Sequence, residues 1–243
     1  MRAVAPLLLL LAACGGEELS ASFTDGAAMA KVEAVHVAGM HASMRVRGGP
    51  AGRVDVTVRS TEGFEGPPVA FEAKGESLIV ELAPVLAKRA GTEIDVPAPE
   101  GLDLLLMGGD GAVEVSGSWR RLVARTSNGA IAARVGRAEA GELESYSGAI
   151  EFVAKVAGPT GDFTAKSIRG AVTVRVPATW NGQIKVSSKS GTLDVPPHKH
   201  LLTLWEEDRK GLQGHVGSAP PKGTLLSALW AASATGNVSF RLE

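Results

Sequence analysis

Hydrophobic and polar residues alternate along most of this chain, and in its second half the alternation is locked to glycine. Counting from each anchoring glycine, small or apolar residues stand at −7 and −5, and Ser or Thr at −3. A branched aliphatic residue follows at +2 and an apolar one at +4. The anchors are Gly129, Gly148, Gly170, Gly191 and Gly236, with a weaker copy at Gly111. The hydroxyl positions are Thr126, Ser145, Ser167, Ser188 and Ser233. Period-2 alternation on both sides of a fixed break predicts two short strands joined by a tight corner, with one apolar face and one mixed polar face. Inside such a corner the hydroxyls can bond backbone groups that the turn leaves unpaired. Glycine suits a corner whose backbone takes positive φ.

The anchors are 18, 19, 22 and 21 residues apart, and the last interval is 45. Gly214-His215-Val216 falls near the middle of that interval, so a degenerate copy is expected there. A period near 20 with one corner per unit predicts an all-β, single-domain β-solenoid of roughly ten two-strand rungs. One rung cannot bury its own apolar face, whereas rungs stacked about 4.8 Å apart can. An antiparallel β-sandwich with hairpins at similar spacing is the alternative.

Residues 31–100 lack the glycine motif but keep the alternation. Strands are expected at 32–37, 43–47, 53–59, 77–82 and 92–96, separated by Gly48-Gly49-Pro50, Gly63, Pro67-Pro68 and Pro97-Ala-Pro99. They read as irregular first rungs, because an end rung must also cap the stack; a small separate β-domain is the other arrangement. Only 84–90 could form a helical turn. Residues 196–224 break the pattern and read as an insertion in the degenerate rung, and Leu229 to Leu242 restores it as the closing rung.

The first thirteen residues carry one basic residue, Arg2, and the apolar run Leu7 to Leu11, the layout of a secretory leader. Leu11-Ala12-Ala13-Cys14 resembles the bacterial lipobox, which implies a signal peptide over 1–13 and lipidation of Cys14. Gly15 in place of aspartate implies, by the same resemblance, sorting to the outer membrane. Residues 14–30 are small, polar and acidic and read as a flexible tether, leaving 31–243 as the folded domain. Cys14 is the sole cysteine, so no internal disulfide can form. No apolar run approaches the ~18 residues of a membrane helix, and attachment would rest on acyl chains.

Acids and bases balance, 26 against 25, which suggests neither nucleic acid nor an anionic membrane surface as a partner. No phosphate loop, triad motif or paired Cys/His pattern occurs. The outward +3 column holds the acids Glu114, Glu151 and Asp194, expected on alternate rungs about 9.6 Å apart. That is the far edge of an inverting glycosidase pair. The −4 column, Arg125, Glu144 and Lys166, reads as a charge ladder or as a sugar- or peptide-binding strip. His198, His200 and His215 could hold zinc, although the proline-rich surroundings favour unligated side chains. Trp205 and Trp230 could stack on sugars or pack against the insertion.

The corners Thr126-Ser-Asn-Gly-Ala-Ile131, Ser145-Tyr-Ser-Gly-Ala-Ile150 and Ser188-Lys-Ser-Gly-Thr-Leu193 resemble the bacterial putative-adhesin β-helix domain family over Val32 to Leu242. The resemblance implies a cell-envelope domain of unknown function, a family with no established catalytic residues to carry over. The expectation is a non-enzymatic, lipid-anchored envelope protein needing no cofactor or metal, with a polysaccharide or protein partner. An envelope polysaccharide lyase or hydrolase, or a lipoprotein docking another envelope protein, are the alternatives.

Overall fold

The computed structural model describes residues 9–13, 16–89, 91–156, 158–195, 201–206, 209–216 and 227–243. β1 (Leu9–Ala13) and β2 (Gly16–Phe23) precede a single helical turn, α1 (Gly26–Met29), capped by the Asp25 carboxylate. Then come β3 (Ala34–Gly39), β4 (Ser43–Gly49), β5 (Val54–Ser60), β6 (Val69–Lys74) and β7 (Ser77–Leu82). A second turn, α2 (Pro84–Ala87), leads to β8 (Glu93–Pro99) and β9 (Asp103–Gly108). The repeats supply β10 (Val113–Thr126), β11 (Ile131–Ser145), β12 (Ile150–Ala154), β13 (Phe163–Ser167) and β14 (Val172–Val176). They continue as β15 (Gly182–Ser188) and β16 (Leu193–Asp194), followed by β17 (Leu201–Glu206), β18 (Arg209–Val216), β19 (Ala228–Ser233) and β20 (Val238–Leu242). The fold is all-β, and its strands bond into one 20-stranded sheet.

Two ladders of parallel neighbours make up most of that sheet. One runs β7, β3, β9, the second halves of β10 and β11, β13, β19 and β15. The other runs β8, β4, the first halves of β10 and β11, β12, β14, β20 and β16. Read across, the two ladders match strand for strand among the described residues as eight strand–corner–strand units, here called rungs. β10 and β11 serve both ladders, crossing at a register shift beside Gly117, whose φ of +108° a side-chain-bearing residue would resist.

The apolar columns predicted from the repeat face inward. Val113, Ile131, Ile150, Val172 and Val238 are buried in one ladder, and Leu122, Leu143, Phe163, Leu229 and Ile184 in the other. The ladders meet where the Phe152 ring on β12 stacks on Phe163 of β13, centroids 4.0 Å apart. Gly141, in a column of larger residues, leaves room for that ring: a Cβ there would lie 3.0 Å from Phe163 Cε2. Each such buried side chain contributes about 1.5–3 kcal/mol.

Stacking order departs from chain order at both ends. β19 and β20, the last rung in sequence, lie between the rung β13–β14 and the rung β15–β16. At the other end β3 and β4, the first rung in sequence, lie between β7–β8 and β9–β10. The degenerate rung expected around Gly214 does not form. That segment is β18, which with β17 makes an antiparallel hairpin laid along β15. Antiparallel strands also cover the opposite end, β6 on β7 and β5 and β2 on β8, while β1, which falls inside the leader expected over 1–13, pairs along β2 and would be lost on its removal. Such strands occupy edges that would otherwise template association.

The flexible tether expected over 14–30 is not what the structure shows from Gly16 onward. β2 pairs with β5 in the register Leu19↔Val58 and Ala21↔Val56. Leu19, Ala21 and Met29 are buried, and Ser22 donates to Asp55 at 2.7 Å. Leu19-Ser-Ala-Ser-Phe23 alternates as a strand should; the acidic residues ahead of it masked the pattern.

Candidate functional site

Every anchoring glycine stands at a corner, but none has positive φ; among the described residues the left-handed glycines are Gly52, Gly66, Gly75, Gly91, Gly101 and Gly117. Close stacking is the reason for glycine instead. A Cβ on Gly148 would fall on the Gly129 carbonyl, one on Gly170 on Gly148, one on Gly236 on Gly170, and one on Gly191 on Gly236. Gly129 sits likewise on Gly111, and Gly111 on Ala42.

The hydroxyls run as a buried column beside these glycines. Ser145, Ser167, Ser233 and Ser188 donate to the glycine carbonyls of the preceding rung, Gly129, Gly148, Gly170 and Gly236, at 2.9–3.2 Å. Each accepts the N–H of its own corner glycine at 2.8–2.9 Å. Thr126, at the head of the column, donates to Gly129 of its own corner. Outside the corner a second ladder runs His41, Asp110, Asn128, Ser147, with contacts of 2.7–2.8 Å. Hydrogen bonds from Asn128 and His41 hold the Asp110 carboxyl below its ordinary range.

The outward acids are paired rather than poised. Glu114 meets Arg45 at 3.0 Å, Glu151 meets Arg134 and, at 3.9 Å, Arg175, and Asp194 meets Arg241. Thr173 and Ser239 separate Glu151 from Asp194, so these two lie three rungs apart, not two. Cys14, His198 and His200 lie outside the described residues. His215 sits on β18 opposite Gln183, and Trp205 falls in β17 opposite Lys210. No cluster of three metal-ligating side chains occurs among the described residues.

The −4 column does build a site, because the stack inserts β19 beside β13. Successive strands of that ladder carry Arg125, Glu144, Lys166, Ala232 and Ser187 at this column. Ala232, Ala234 and Ser187 are short where their neighbours are long, and they leave a groove of about 630 Å³ on the outer face. Tyr146 and Ile168 flank it with rings and methyls 48% and 47% exposed. Lys166 Nζ lies 4.3 Å and Lys185 Nζ 5.3 Å from the Trp230 ring centroid, and the Arg169 guanidinium 5.2 Å from that of Tyr146. Cation–π contact at this range fixes where the charges sit. The indole N–H of Trp230 is buried without an acceptor among the described residues.

At the groove's other end Arg125 reaches Glu142 at 3.0 Å and Glu144 at 3.4 Å. Burial pushes the Glu144 carboxyl above its ordinary value, and the hydrogen bond and charge of Glu142 add to this. Burial also acts to raise Glu142, but hydrogen bonds from Glu144 and Arg125 outweigh it and hold that group low. The two carboxyls are thus pushed apart in pKa, and Glu144 is the one that takes up a proton more readily. Glu142, Tyr146, Ile168 and Lys189 were not singled out from sequence. Their signal is the outward −6 and −2 positions of the same repeat, which gain meaning only once the stacking order is known.

No protein-family model matches the chain, and no curated protein matches it in sequence. Among solved structures, a putative cell adhesion protein from Clostridium sporogenes ATCC 15579 is similar over 94% of this chain and 100% of its own, at 10% identity and a TM-score of 0.49. A putative adhesin from Bacteroides fragilis NCTC 9343 is similar over 93% of this chain and 97% of its own, at 12% identity and a TM-score of 0.43. A putative adhesin from Parabacteroides merdae ATCC 43184 matches over 93% and 96%, at 9% identity and a TM-score of 0.38. No site residue is carried over from them.

Proposed function

We propose that this chain is a non-enzymatic, adhesin-like lipoprotein of a bacterial cell envelope. Its rungs coil as a β-solenoid, it is held by an acylated Cys14, with the outer membrane favoured, and it binds an envelope partner through its outer face. The observation that carries this reading is the placement of the groove. β2 starts two residues after Cys14 and is packed from Leu19 onward, so an anchor at Cys14 would allow at most about 17 Å of slack. β2 belongs to the β8 end of the stack, whereas the groove spans β10 to β15 toward the other end. Three rungs, on the order of 14 Å, to its near edge and five, on the order of 24 Å, to its middle would hold it away from the lipid.

The arginine pairing of Glu114, Glu151 and Asp194 supports a surface role for those acids rather than acid–base chemistry. Mass spectrometry of the protein from its native membrane, with a Cys14→Ser variant beside it, tests the anchor. A diacyl or triacyl Cys14, with the variant released in soluble form, is the expected result. An unmodified, freely secreted chain would contradict it. Incubation with envelope polysaccharide tests the binding role: retention without chain cleavage is expected, and new reducing ends would replace this reading with an enzymatic one.

A further inference from the structure

We infer that the groove bounded by Tyr146, Ile168, Lys166, Trp230 and Lys189 binds an anionic polysaccharide, through the carboxylates and ring faces of its uronate sugars. This rests on the reading of the chain as an envelope-binding protein and gives that reading a ligand.

Shape comes first. A volume near 630 Å³ lies within the range of built ligand sites and is open along the sheet face, as a polymer requires. Charge comes next. Arg125 is taken up by Glu142 and Glu144, whereas Lys189 is exposed and has no ion pair among the described residues. Lys166 is held over Trp230, where it also faces Glu144 across the strand pair, and Arg169 over Tyr146; with Lys189 they give the groove more cations than acids on a chain of net charge −1. An anionic ligand is the complementary one.

The manner of contact selects a glycan over a peptide. β13, β19 and β15 are each hydrogen-bonded on both sides, so no backbone edge is open for a peptide to join as a strand. What the groove offers is side chains: the exposed ring of Tyr146 and the methyls of Ile168, suited to the apolar face of a sugar ring, between ammonium groups suited to carboxylates. Lys166 and Lys189 stand two rungs and two strand positions apart, on the order of 12 Å, a distance that sugars two or three apart on an extended chain can bridge.

The test is calorimetric titration of the full chain in detergent with oligogalacturonate, a neutral cello-oligosaccharide and poly-glutamate. Oligogalacturonate should bind, more weakly as salt rises, and the neutral sugar should not. Lys189→Glu and Tyr146→Ala should each weaken it about tenfold, while Lys74→Glu, on exposed β6 beyond the opposite end, should leave it unchanged. Circular dichroism confirms that each variant is folded. Equal binding of the neutral sugar, no effect of Lys189→Glu, or tighter binding of poly-glutamate would each overturn the assignment. Retention of the parent chain on its native envelope fraction separates the two levels. If it is retained while oligogalacturonate fails to bind, only the ligand is wrong; if it is not retained, the binding role falls as well.

Discussion

Ser233 donates its hydroxyl to the carbonyl oxygen of Gly170, 2.9 Å away and 63 residues earlier in the chain. Ser188, which precedes it in sequence, donates instead to Gly236 at 2.9 Å. The two bonds show that the last rung in sequence is the second from its end of the stack. A rung placed there contacts neighbours on both sides, and it cannot detach without breaking two interfaces.

Because the serine column joins each corner to the next, removing one hydroxyl orphans a carbonyl and an N–H together. Ser167→Ala should therefore cost about 1–3 kcal/mol, read as a lowered urea midpoint. Ser147→Ala, in the exposed outer ladder, should change it far less.

Gly148→Ala should cost about 1–3 kcal/mol or more, through overlap with the Gly129 carbonyl rather than through backbone strain. Gly26→Ala is the control. It lies in the helical turn α1 with nothing near a new Cβ, and should be neutral or slightly stabilising. Thermal unfolding of the two variants compares them directly; equal tolerance would remove stacking as the reason for the corner glycines.

Phe240→Ala measures how firmly the closing rung is held. The ring is buried, packed beside Trp180 with centroids 6.3 Å apart, only three residues from the C-terminus. A loss of about 3–5 kcal/mol is expected for a side chain this enclosed. A fraying terminal strand would lose little in the same guanidinium titration.

The sequence carried the rung itself with good fidelity. Strand–corner–strand units, the inward +2 and +4 columns and the hydroxyl positions were all readable, because period-2 alternation and a fixed corner are local. The order of the rungs was not readable. Every copy presents the same face chemistry, so nothing in the repeat of Leu229 to Leu242 says whether Phe163 or Ile184 is its neighbour; it contacts both. The groove fell out of sight for the same reason. Ala232 lies between Lys166 and Ser187 only in space. β2 was hidden differently, its short alternation overshadowed by a leader and an acidic approach.

The opposite shifts of Glu142 and Glu144 give a pH signature. Glu144 is raised above its ordinary 4.5, so its contribution to stability is full below that value and is lost as pH rises through its folded value. Glu142 is lowered, so its contribution is present above the ordinary value and lost as pH falls. Glu144→Gln removes the first loss. The variant should match the parent near pH 4 and exceed it in thermal stability at neutral pH, with the gap opening as pH rises.

Disulfide trapping between Thr173, Ser239 and Asp194 tests the rung order most directly, and the groove stands or falls with that order. In a Cys14→Ser background, which leaves no other thiol, Thr173→Cys with Ser239→Cys should close a disulfide, because these positions are neighbours on β14 and β20. Thr173→Cys with Asp194→Cys should not: Ser239 lies between them, and two rung spacings, about 9.6 Å, exceed the reach of a disulfide. Rapid trapping of the first pair alone is the predicted result. Trapping of the second pair instead would return the rungs to chain order and contradict both the stack and its groove.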